Sequence, residues 1–574
     1  MGARGGVPIR DIREFLNREC TRIDANRNLK FTTESQRPRS FTETFFGVFL
    51  CDKSFHIFAF IRVHSRLVCR LLELLGLLEL LKMTQTDRVS PALLTDLYQL
   101  TMAYGYWKEG MREKEAVFHL TFRHQPFGSG YTIACGLEDA IEYIQNFRFY
   151  PDDLEYLASL RDANDAPIFE PAFLDYLSGL TIACDVDAVP EGTVVFPHEP
   201  LLRINGPLLQ CQLVETTLLN IINFQTLIAT KSARICLAAQ GAPVLEFGLR
   251  RAHGPDGGLA ASRAAYIGGC AATSNVLAGK VFGIPVRGTH AHSWVMTFNT
   301  ELEAFAAFAR AMPANSIFLV DTYDTLQGIR HAIEVAKELK NNGHQFLGIR
   351  LDSGDLALLS ITARRLLDEA GFPDAKIVAS NDLDEYIINS LREQGARIDM
   401  WGVGTKLVTA FDQPALGGVF KLGAVRDPGT NWQYRIKLSE QAVKVSNPGV
   451  LQVRRFERGN EYFADMLYDE AGPSPQSRTI VDLADVTLRR RVPKDADGRD
   501  LLVPIFRTGK LVYTRPTIHE IRKNATTQLS KFYSGIKRLL NPHIYPVGLE
   551  PNLHELKARL IEEHRRETEL APED

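Results

Sequence analysis

The sequence lacks a charge excess of either sign, because 66 Lys and Arg residues stand against 69 Asp and Glu residues in a chain of 574. Proteins that bind nucleic acid or a membrane surface through their overall charge carry a basic excess, so neither kind of partner is expected. The chain also lacks a C-x-x-C pair among its eight cysteines. We therefore expect reduced, buried thiols and a cytoplasmic location rather than disulfides or a zinc site.

Long apolar runs and nucleotide-binding motifs are missing as well. The nearest candidate for a membrane span, residues 57–81, is interrupted too often by charged side chains. No G-x-x-x-x-G-K-[ST] loop is present, so ATP would have to bind by another route, and no G-x-G-x-x-G opens a βαβ unit. These absences exclude a P-loop nucleotide site and disfavour a dinucleotide-dependent oxidoreductase.

A chain of this length predicts about two or three domains. Residues 1–82 differ from the rest, being rich in Arg and ending in the leucine-rich segment 67–81. Three interpretations compete. The segment is an N-terminal extension that precedes the true initiator, Met83, or a helical appendage that docks on a partner through residues 67–81. The third interpretation, an organelle-targeting segment, is disfavoured by frequent acidic residues.

What the chain does contain is a repeated pattern between residues 247 and 405. Six times an apolar, strand-like segment runs into a cluster of polar and glycine residues and then into a helix, which is the pattern of βα units. The six clusters are residues 247–251, 287–292, 320–324, 350–355, 379–382 and 402–405. Because parallel strands end on one face, these polar groups are expected to converge there.

This rhythm predicts an α/β protein with an irregular TIM-like α/β barrel over residues 208–430. An α+β sandwich domain built from both chain ends accompanies it. The sandwich takes its first part from residues 83–207 and its second part from residues 431–512, because both stretches show short alternating strands separated by polar turns. Residues 513–574 are predicted to form a helical, solvated C-terminal tail.

Arginines, a histidine, aspartates, threonines and glycine turns on one face suit an anionic, phosphate-bearing substrate, so an enzyme is the leading interpretation. A barrel aldolase or glycosidase would need a Schiff-base lysine or paired glutamates at strand ends, and the six clusters contain neither. A non-catalytic protein that binds a partner through residues 67–81 is the alternative from another class.

Five segments in this order carry a family resemblance. They are residues 94–102 (LTDLYQLTM), 247–251 (FGLRR), 288–293 (GTHAHS), 350–355 (RLDSGD) and 402–405 (GVGT). Over residues 90–520 the chain resembles the nicotinate phosphoribosyltransferases, which are class-II phosphoribosyltransferases. The resemblance implies that nicotinate, 5-phosphoribosyl 1-diphosphate, ATP and water yield nicotinate mononucleotide, diphosphate, ADP and phosphate. It also implies Mg²⁺ as cofactor and a homodimer that shares its active sites.

By this resemblance, His292 is the residue that ATP transiently phosphorylates. A neutral imidazole, the usual form at physiological pH, is a competent nucleophile towards a phosphoryl group. Asp321 or Asp324 is expected to orient the imidazole, and the sequence does not choose between them. His290 is predicted to point to the other face of the extended segment and to hydrogen-bond within the barrel.

Arg350 is the predicted clamp for the nicotinate carboxylate, since a guanidinium binds a carboxylate through two parallel hydrogen bonds. The resemblance also places Thr289 and Tyr98 against nicotinate, with Tyr98 supplied by the neighbouring subunit. A core position in its helix is the other interpretation of Tyr98. Arg250 is a second candidate for anion binding, with a surface salt bridge as its alternative.

Asp352 and Asp355 flank a turn at a strand end, where carboxylates accept ribose hydroxyls or hold Mg²⁺ that is bound to diphosphate. Asp355 is the candidate metal ligand, although Ser353 and Asp355 also suit helix N-capping. The other candidates for binding phosphoribosyl diphosphate are strand-end polar groups, and glycines that let a phosphate approach the backbone. They are Ser380, Asn381, Gly404, Thr405, Gly417 and Gly418.

Two neighbouring activities are weighed against this one. Nicotinamide-using relatives carry an Asp near the base, and Asn275 aligns with it here. That favours nicotinate, because a neutral residue does not repel a carboxylate. A quinolinate phosphoribosyltransferase would need extra basic residues for a second carboxylate and lacks the histidine motif. Nicotinamide phosphoribosyltransferase is therefore the nearer alternative.

Overall fold

The structure is a computed structural model that describes residues 90–441, 444–475, 477–483 and 485–569. The predicted extension 1–82, with its segment 67–81, and Met83 lie outside the described residues. Within the described part of the chain, no helix is both long and apolar enough to cross a membrane.

Helices alternate with strands through the middle of the described chain and follow the last strands near its end. The α-helices are α1 (Leu97–Lys108), α2 (Leu137–Asn146), α3 (Pro151–Ser159), α4 (Pro171–Ser178), α5 (Leu208–Leu213), α6 (Glu215–Ala238), α7 (Gly254–Ile267), α8 (Val276–Phe282), α9 (His292–Met296), α10 (Glu301–Ala311), α11 (Thr325–Asn341), α12 (Leu356–Glu369), α13 (Glu385–Glu393), α14 (Thr405–Val408), α15 (Ile518–Ser530) and α16 (Pro551–Glu569).

The strands of the described residues fall into three larger sheets and one pair, β2 with β4. They are β1 (Glu115–Phe122), β2 (Thr132–Ile133), β3 (Asp185–Ala188), β4 (Val194–Val195), β5 (Leu202–Pro207), β6 (Val244–Glu246), β7 (Ala272–Thr273), β8 (Ile317–Leu319), β9 (Gly348–Leu351), β10 (Lys376–Ala379), β11 (Met400–Val403), β12 (Gly418–Arg426), β13 (Gln433–Tyr434), β14 (Leu451–Arg458), β15 (Glu461–Asp469), β16 (Thr479–Asp482), β17 (Arg489–Arg491), β18 (Asp497–Asp500), β19 (Val503–Arg507), β20 (Lys510–Leu511) and β21 (Val547–Leu549).

A parallel sheet occupies the middle of the chain, in the order β7-β6-β11-β10-β9-β8. All its neighbouring strands run parallel, and a helix follows each of them. The strands are buried apolar runs, as in sheets that are covered on both faces; Ile349, Ile377 and Trp401 are fully buried. The carboxyl ends of these strands therefore share one edge. The predicted cluster at 287–292 follows an isolated parallel bridge between Val286 and Thr273 instead of a full strand.

A seven-stranded sheet draws on both ends of the described chain, in the order β13-β12-β1-β5-β3-β19-β20. β1 pairs antiparallel with β12 and β5, so that Phe118 faces Leu422 on one side and Ile204 on the other. The rings of Phe118 and Phe420 stack with centroids 5.0 Å apart, a cross-strand contact that helps to fix the register. The predicted barrel over residues 208–430 wrongly included β12, because β12 finds its partner in β1 and not in the parallel sheet.

The third sheet has the order β17-β16-β21-β15-β14-β18. Its strand β21 runs parallel to β15 and antiparallel to β16, and Leu549 is buried. The prediction of a solvated helical tail over residues 513–574 is therefore wrong at this strand. A run as short as Val547–Leu549 is too brief to give a periodic signal.

The long helix α6 links these parts, packing against α7, α13 and β12. At its contact with α7 the backbones come so close that a Cβ on Gly268 would lie 2.2 Å from the carbonyl oxygen of Ala229, so only glycine fits there. Further along, Lys231 and Arg234 of α6 bind the first residue of α13, Glu385, at 2.9 and 2.8 Å. This helix thereby anchors the element that follows β10.

Candidate active site

Arg350 lies in β9 near the carboxyl edge of the parallel sheet, with its side chain 18% exposed. Its guanidinium donates from Nε to Ser380 Oγ at 2.7 Å, from Nη1 to Thr289 Oγ1 at 3.3 Å and from Nη2 to Asp352 Oδ1 at 3.0 Å. It also lies 5.4 Å from the ring centroid of Phe247, just beyond β6, within range of a cation–π contact. An arginine has five N–H donors. One N–H on each terminal nitrogen is thus left for a ligand, as far as the described residues go.

Asp352 connects this arginine with the histidine. Its Oδ1 accepts hydrogen bonds from Arg350 and from the hydroxyl of Ser380. Its Oδ2 lies 3.8 Å from His292 Nε2. The backbone N–H of Asp352 donates to Asp321 Oδ2 at 2.9 Å. One carboxylate oxygen is thus fixed by the arginine, while the other faces the imidazole.

His292 is the first residue of α9, and its side chain is 41% exposed. Its Nδ1 lies 3.1 Å from Thr322 Oγ1, at the carboxyl end of β8. The imidazole therefore has one nitrogen in a hydrogen bond and the other beside a carboxylate, and the partner of the first determines the tautomer. A ligand at the sheet edge can reach this ring.

His290 serves a different purpose from His292. It is buried among aromatic rings, and its Nε2 accepts a hydrogen bond from Leu319 N at 3.2 Å. Burial lowers the pKa of His290 to about 4, so the ring is neutral at physiological pH. Its surroundings are the side chains of Phe305, Phe308 and Phe318.

The two aspartates that were expected to orient His292 are engaged elsewhere. Asp321 accepts from the backbone and the hydroxyl of the turn at residues 352–353, at 2.9 and 2.6 Å. Asp324 caps α11, accepting a backbone N–H of its first turn at 2.7 Å. Thr322, which lies between them in the bend after β8, contacts the imidazole instead. The expectation for Asp321 and Asp324 is therefore corrected to Thr322.

Asp355 caps α12, since its Oδ1 accepts from Leu358 N at 3.0 Å. Its side chain is exposed at the edge of the sheet, so capping leaves the carboxylate accessible. Among the described residues there is no group of three or more His, Cys, Asp or Glu side chains that could hold a metal ion. A cage made by protein alone is thus not available in that part of the chain.

Ser380 and Asn381 follow β10 and differ in their surroundings. Ser380 is buried, with its hydroxyl between Arg350 and Asp352, so it organises the cluster. Asn381 is exposed and has a φ of 128°, a conformation that side chains rarely adopt and that occurs preferentially at functional sites. Its Oδ1 accepts from Asp382 N at 2.8 Å.

The three predicted glycines differ in their surroundings. Gly404 precedes Thr405 and α14, and a Cβ on it would lie 3.1 Å from the carbonyl oxygen of Phe247. It therefore belongs to the same edge as the Arg350 cluster. Gly417 has a φ of 72° in open space, which marks a turn. A Cβ on Gly418 would lie 2.1 Å from the side-chain amide oxygen of Asn223 in α6, so this glycine packs closely against that helix.

Arg250 and Tyr98 are exposed and lie outside the cluster. Arg250 sits in the short 3₁₀ helix Leu249–Arg251 that follows β6. The side chain of Tyr98, in α1, is 48% exposed and lies near Glu215 and Thr216 at the start of α6. Within one chain the fold thus does not bring Tyr98 to Arg350.

Asn275 is buried behind the edge and uses its own amide within the fold. Its Oδ1 accepts from Ala278 N at 3.2 Å, which caps α8, and its Nδ2 donates to Ser262 Oγ at 3.2 Å. Both polar atoms of the Asn275 amide thus contact this chain itself. The alignment of Asn275 with the Asp of nicotinamide-using relatives stays a prediction.

Two residues of this edge were not predicted. Thr322 gave no signal, because a hydroxyl between two aspartates is inconspicuous. Glu246 is a buried carboxylate that accepts from Ser262 Oγ at 2.9 Å and from Thr273 Oγ1 at 2.5 Å. It holds the ends of β6 and β7 together. A glutamate that closes an apolar strand is unusual, and that signal was present in the sequence.

The edge as a whole combines an arginine with free donors, a carboxylate, a reachable histidine and glycine turns at the carboxyl ends of parallel strands. This is the arrangement of an α/β enzyme that acts on a small anionic substrate.

Family models match most of the described chain. They are the nicotinate phosphoribosyltransferase (NAPRTase) N-terminal domain over residues 93–223, the nicotinate phosphoribosyltransferase (NAPRTase) family over 244–427 and the nicotinate phosphoribosyltransferase C-terminal domain over 452–557. The chain belongs to the nicotinate phosphoribosyltransferase family.

Individual relatives agree with this assignment. The chain is 46% identical to nicotinate phosphoribosyltransferase of Bacillus subtilis, with 83% of this chain and 98% of the relative aligned. It is 39% identical to the enzyme of the same name from Dictyostelium discoideum, over 81% and 88% of the two chains. The crystal structure of human nicotinic acid phosphoribosyltransferase superposes with a TM-score of 0.72 at 33% identity, covering 82% of this chain and all of that one.

Proposed function

We propose that the protein is a nicotinate phosphoribosyltransferase, which converts nicotinate, 5-phosphoribosyl 1-diphosphate, ATP and water to nicotinate mononucleotide, diphosphate, ADP and phosphate. One observation carries the proposal: Arg350, with two N–H donors that no described residue engages, lies beside Asp352, whose other oxygen faces His292. The names of the relatives support the same reaction.

In this reaction Arg350 binds the nicotinate carboxylate through the free N–H of each terminal nitrogen. Ser380, Thr289 and Asp352 already hold the guanidinium in place, so little side-chain freedom is lost on binding. Tyr98 of the partner subunit completes the nicotinate site in a homodimer, which agrees with the exposure of this ring in the single chain.

The transfer itself needs no proton movement. The lone pair of the pyridine nitrogen forms a bond to C1 of the ribose while the bond from C1 to diphosphate breaks, and the electron pair leaves with the diphosphate. Asp352 lies where its carboxylate can accept hydrogen bonds from ribose hydroxyls. Gly404, Thr405 and the Gly417 turn, with Asn381, supply backbone and polar groups for phosphate.

ATP acts through His292. If the Nδ1–H donates to Thr322, the lone pair of Nε2 is free to attack the γ-phosphorus of ATP; ADP leaves, and water later cleaves the N–P bond. A phosphoryl group on Nε2 brings negative charge next to Asp352 Oδ2, now 3.8 Å from that nitrogen. Repulsion then loosens the bond between Asp352 and Arg350, which links ATP use to the nicotinate clamp.

Mg²⁺ fits this site as an ion carried by the substrates. The ion commonly keeps its waters and binds phosphates with one or two carboxylates. Asp355, which is exposed, and Asp352, which is partly exposed, are two carboxylates at the edge that suit this role. When bound, it neutralises charge on the diphosphate and so makes it a better leaving group.

The curvature of the parallel sheet is also part of what we propose. We infer that the parallel sheet curls into an irregular TIM-like barrel, with the bridge between Val286 and Thr273 extending it beyond β7. Such closure brings the histidine segment, residues 287–292, to the same opening as the other clusters.

The test is product formation by the purified chain with Mg²⁺ and 5-phosphoribosyl 1-diphosphate, comparing nicotinate with nicotinamide, each with and without ATP. Nicotinate mononucleotide that forms faster with ATP is the expected result. Turnover of nicotinamide alone would identify a nicotinamide phosphoribosyltransferase instead. Failure to form product from either base in a folded sample would refute the proposal.

The histidine step has its own test. His292→Ala is expected to abolish ATP stimulation and ³²P-labelling of the protein by γ-labelled ATP, while slow ATP-independent transfer remains. His290→Gln is the neighbouring control and should keep the label. Unchanged ATP dependence in His292→Ala would refute the phosphohistidine assignment.

A further inference from the structure

A cavity of about 960 Å³ lies outside the Arg350 cluster. Residues after β1, after β4, from β16 and β17 and from the segment 542–547 form its walls. Its volume is at the upper end of the range for small-molecule sites. None of Arg350, Asp352 and His292 lines it.

The lining of this cavity is basic. Its basic side chains outnumber the carboxylates, of which Asp482 is the one in the described lining. They include His124, His198, Arg489, Arg490, His543 and Lys557. Such a concentration of one sign is unusual in a chain whose charges balance overall, and it favours an anion in the cavity.

Lys557, in α16, is a partly buried cation of this group. Its Nζ donates to the neutral side chain of Asn447 at 2.8 Å. Burial lowers the pKa of Lys557 to about 8, so its ammonium group is held where water solvates it poorly. An anion at hydrogen-bond distance would offset that cost.

His198 shares the same surroundings. It lies in a turn with a φ of 70°. Its backbone N–H donates to Phe122 O, at the end of β1, at 2.8 Å. Burial lowers its pKa to about 4, with Lys557, His124 and Arg123 adding to the effect. The His198 ring is therefore neutral at physiological pH, and it can donate one hydrogen bond to an anion that lies beside the charge of Lys557.

Apolar groups also line the cavity. The rings of Phe196 and Tyr545 stack with centroids 4.2 Å apart, and both residues line the wall. Ile544, at the rim, is 84% exposed, which is rare for an isoleucine. A ligand with an anionic end and an apolar part matches both kinds of lining.

We propose that this cavity binds a phosphate-bearing small molecule, with its phosphate groups at Lys557 and His198, Arg489 and Arg490 at the rim, and any apolar part against Ile544. The site is separate from the Arg350 cluster and goes beyond the proposed reaction. Inorganic diphosphate and a nucleoside diphosphate share the recognised chemistry.

The test is isothermal titration calorimetry of the full chain with inorganic diphosphate, adenosine diphosphate and adenosine. The Arg350 cluster can also take the first two ligands, so the comparison is between wild type and Lys557→Met. This variant should weaken one class of sites by about 10-fold or more, since it removes a charge-assisted hydrogen bond. Lys557→Arg should restore binding, and Lys337→Met, an exposed lysine of α11, should leave it unchanged.

His198→Asn is the second variant, because asparagine tolerates a positive φ while removing the ring. It keeps the test decisive if Lys557→Met does not fold. Tighter binding of adenosine diphosphate would identify a nucleotide site, and equal binding of inorganic diphosphate a simple phosphate site; both support the proposal. Wild-type binding in both variants, or equal binding of adenosine, would overturn it. Because binding is measured without turnover, the outcome does not depend on the proposed reaction.

Discussion

The charged side chains at the edge of the parallel sheet differ from those inside the other sheets in their exposure and in how fully they are hydrogen-bonded. At the edge, the side chains of Arg350 and Asp352 are 18% and 27% exposed, and two N–H donors of the arginine have no partner among the described residues. Inside, Arg455 and Asp465 are fully buried and joined by three hydrogen bonds between 2.5 and 3.1 Å. The first pair is open to a ligand, whereas the second is complete without one.

The two kinds of ion pair differ in what they do: one is available to a substrate, and the other stabilises the fold. A buried ion pair that loses one partner leaves an uncompensated charge in a medium that solvates it poorly. A partly exposed pair such as Arg350 with Asp352 is screened more by water than a buried pair and adds less to stability, so its charges are available for a substrate. Replacing residues in the two regions should therefore change different quantities.

The largest effect is expected from Arg455→Met in β14. It would leave Asp465 without its cationic partner, with a hydrogen bond from the Tyr545 hydroxyl remaining. Asp465 also lies next to Glu199, a carboxyl whose pKa is raised well above its usual range by burial and by Asp465. We expect the free energy of unfolding to fall by about 3–5 kcal/mol, measured by urea denaturation, with the KM for nicotinate unchanged in the protein that folds.

The matched control for this change is Arg458→Met in the same strand. Arg458 pairs with Asp495 at 2.9 Å, but both side chains are more than half exposed. Its loss should cost at most about 1 kcal/mol. Equal losses in the two variants would erase the distinction between buried and open pairs.

Acid should destabilise the buried region through His119. Burial, followed by the charge of Arg203, lowers the pKa of this histidine to about 3, against about 6.5 in the unfolded chain. Because the unfolded state takes up the proton first, stability is full above about pH 6.5 and is lost as the pH falls towards 3. At pH 5 the loss should be about 2 kcal/mol.

Between pH 8 and pH 5 the free energy of unfolding should fall less steeply in His119→Gln than in the wild type. The difference in the total fall should be about 2 kcal/mol. His344→Gln, at an exposed position of the chain, controls for the loss of a histidine as such. If His119→Gln kept the full slope, other buried groups would have to carry the acid sensitivity.

At the open edge the quantity that changes is affinity. Arg350→Lys removes the planar fork that binds a carboxylate through two bonds, so the KM for nicotinate should rise about 10-fold or more, which corresponds to about 1.4 kcal/mol. Arg365→Lys serves as the control, since Arg365 pairs with Glu369 at 2.8 Å on the surface, away from the Arg350 cluster. An unaltered KM would show that Arg350 does not bind the carboxylate.

The sequence predicted this edge better than it predicted the contacts within it. Apolar segments that end in polar clusters predict where parallel strands stop, and Arg350, Thr289, Asp352 and Ser380 meet there. The direction of each side chain depends on the backbone at the end of its strand, which the residue types do not reveal. For this reason Asp321 was expected at the imidazole where the structure has its neighbour.

Sheet membership was harder to predict still. β12 and β21 are apolar strands like those around them, and their partners, β1 and β15, are distant in sequence. A local pattern carries no information about which sheet takes a strand. The assignment of β12 to the barrel and of β21 to a solvated tail was wrong for that reason.

The smallest predicted effect tests the contact that the sequence missed. Thr322→Val removes the hydroxyl 3.1 Å from His292 Nδ1 and keeps the shape of the side chain. A lost neutral hydrogen bond costs about 1 kcal/mol, so phosphorylation of His292 by ATP should slow about fivefold. Stability and the KM for nicotinate should stay as in the wild type, because Arg350 keeps its own partners.

Thr297→Val is the matched control, because its hydroxyl donates to Ser293 O at 2.8 Å within the same helix as His292 and does not touch the imidazole. Rapid-quench labelling with γ-labelled ATP measures the step directly. A slower step in Thr322→Val alone would mean that the open edge orients its histidine by a single weak bond. Buried pairs hold their partners by several strong ones. Equal rates in both variants would leave the orientation of His292 to Asp352 alone.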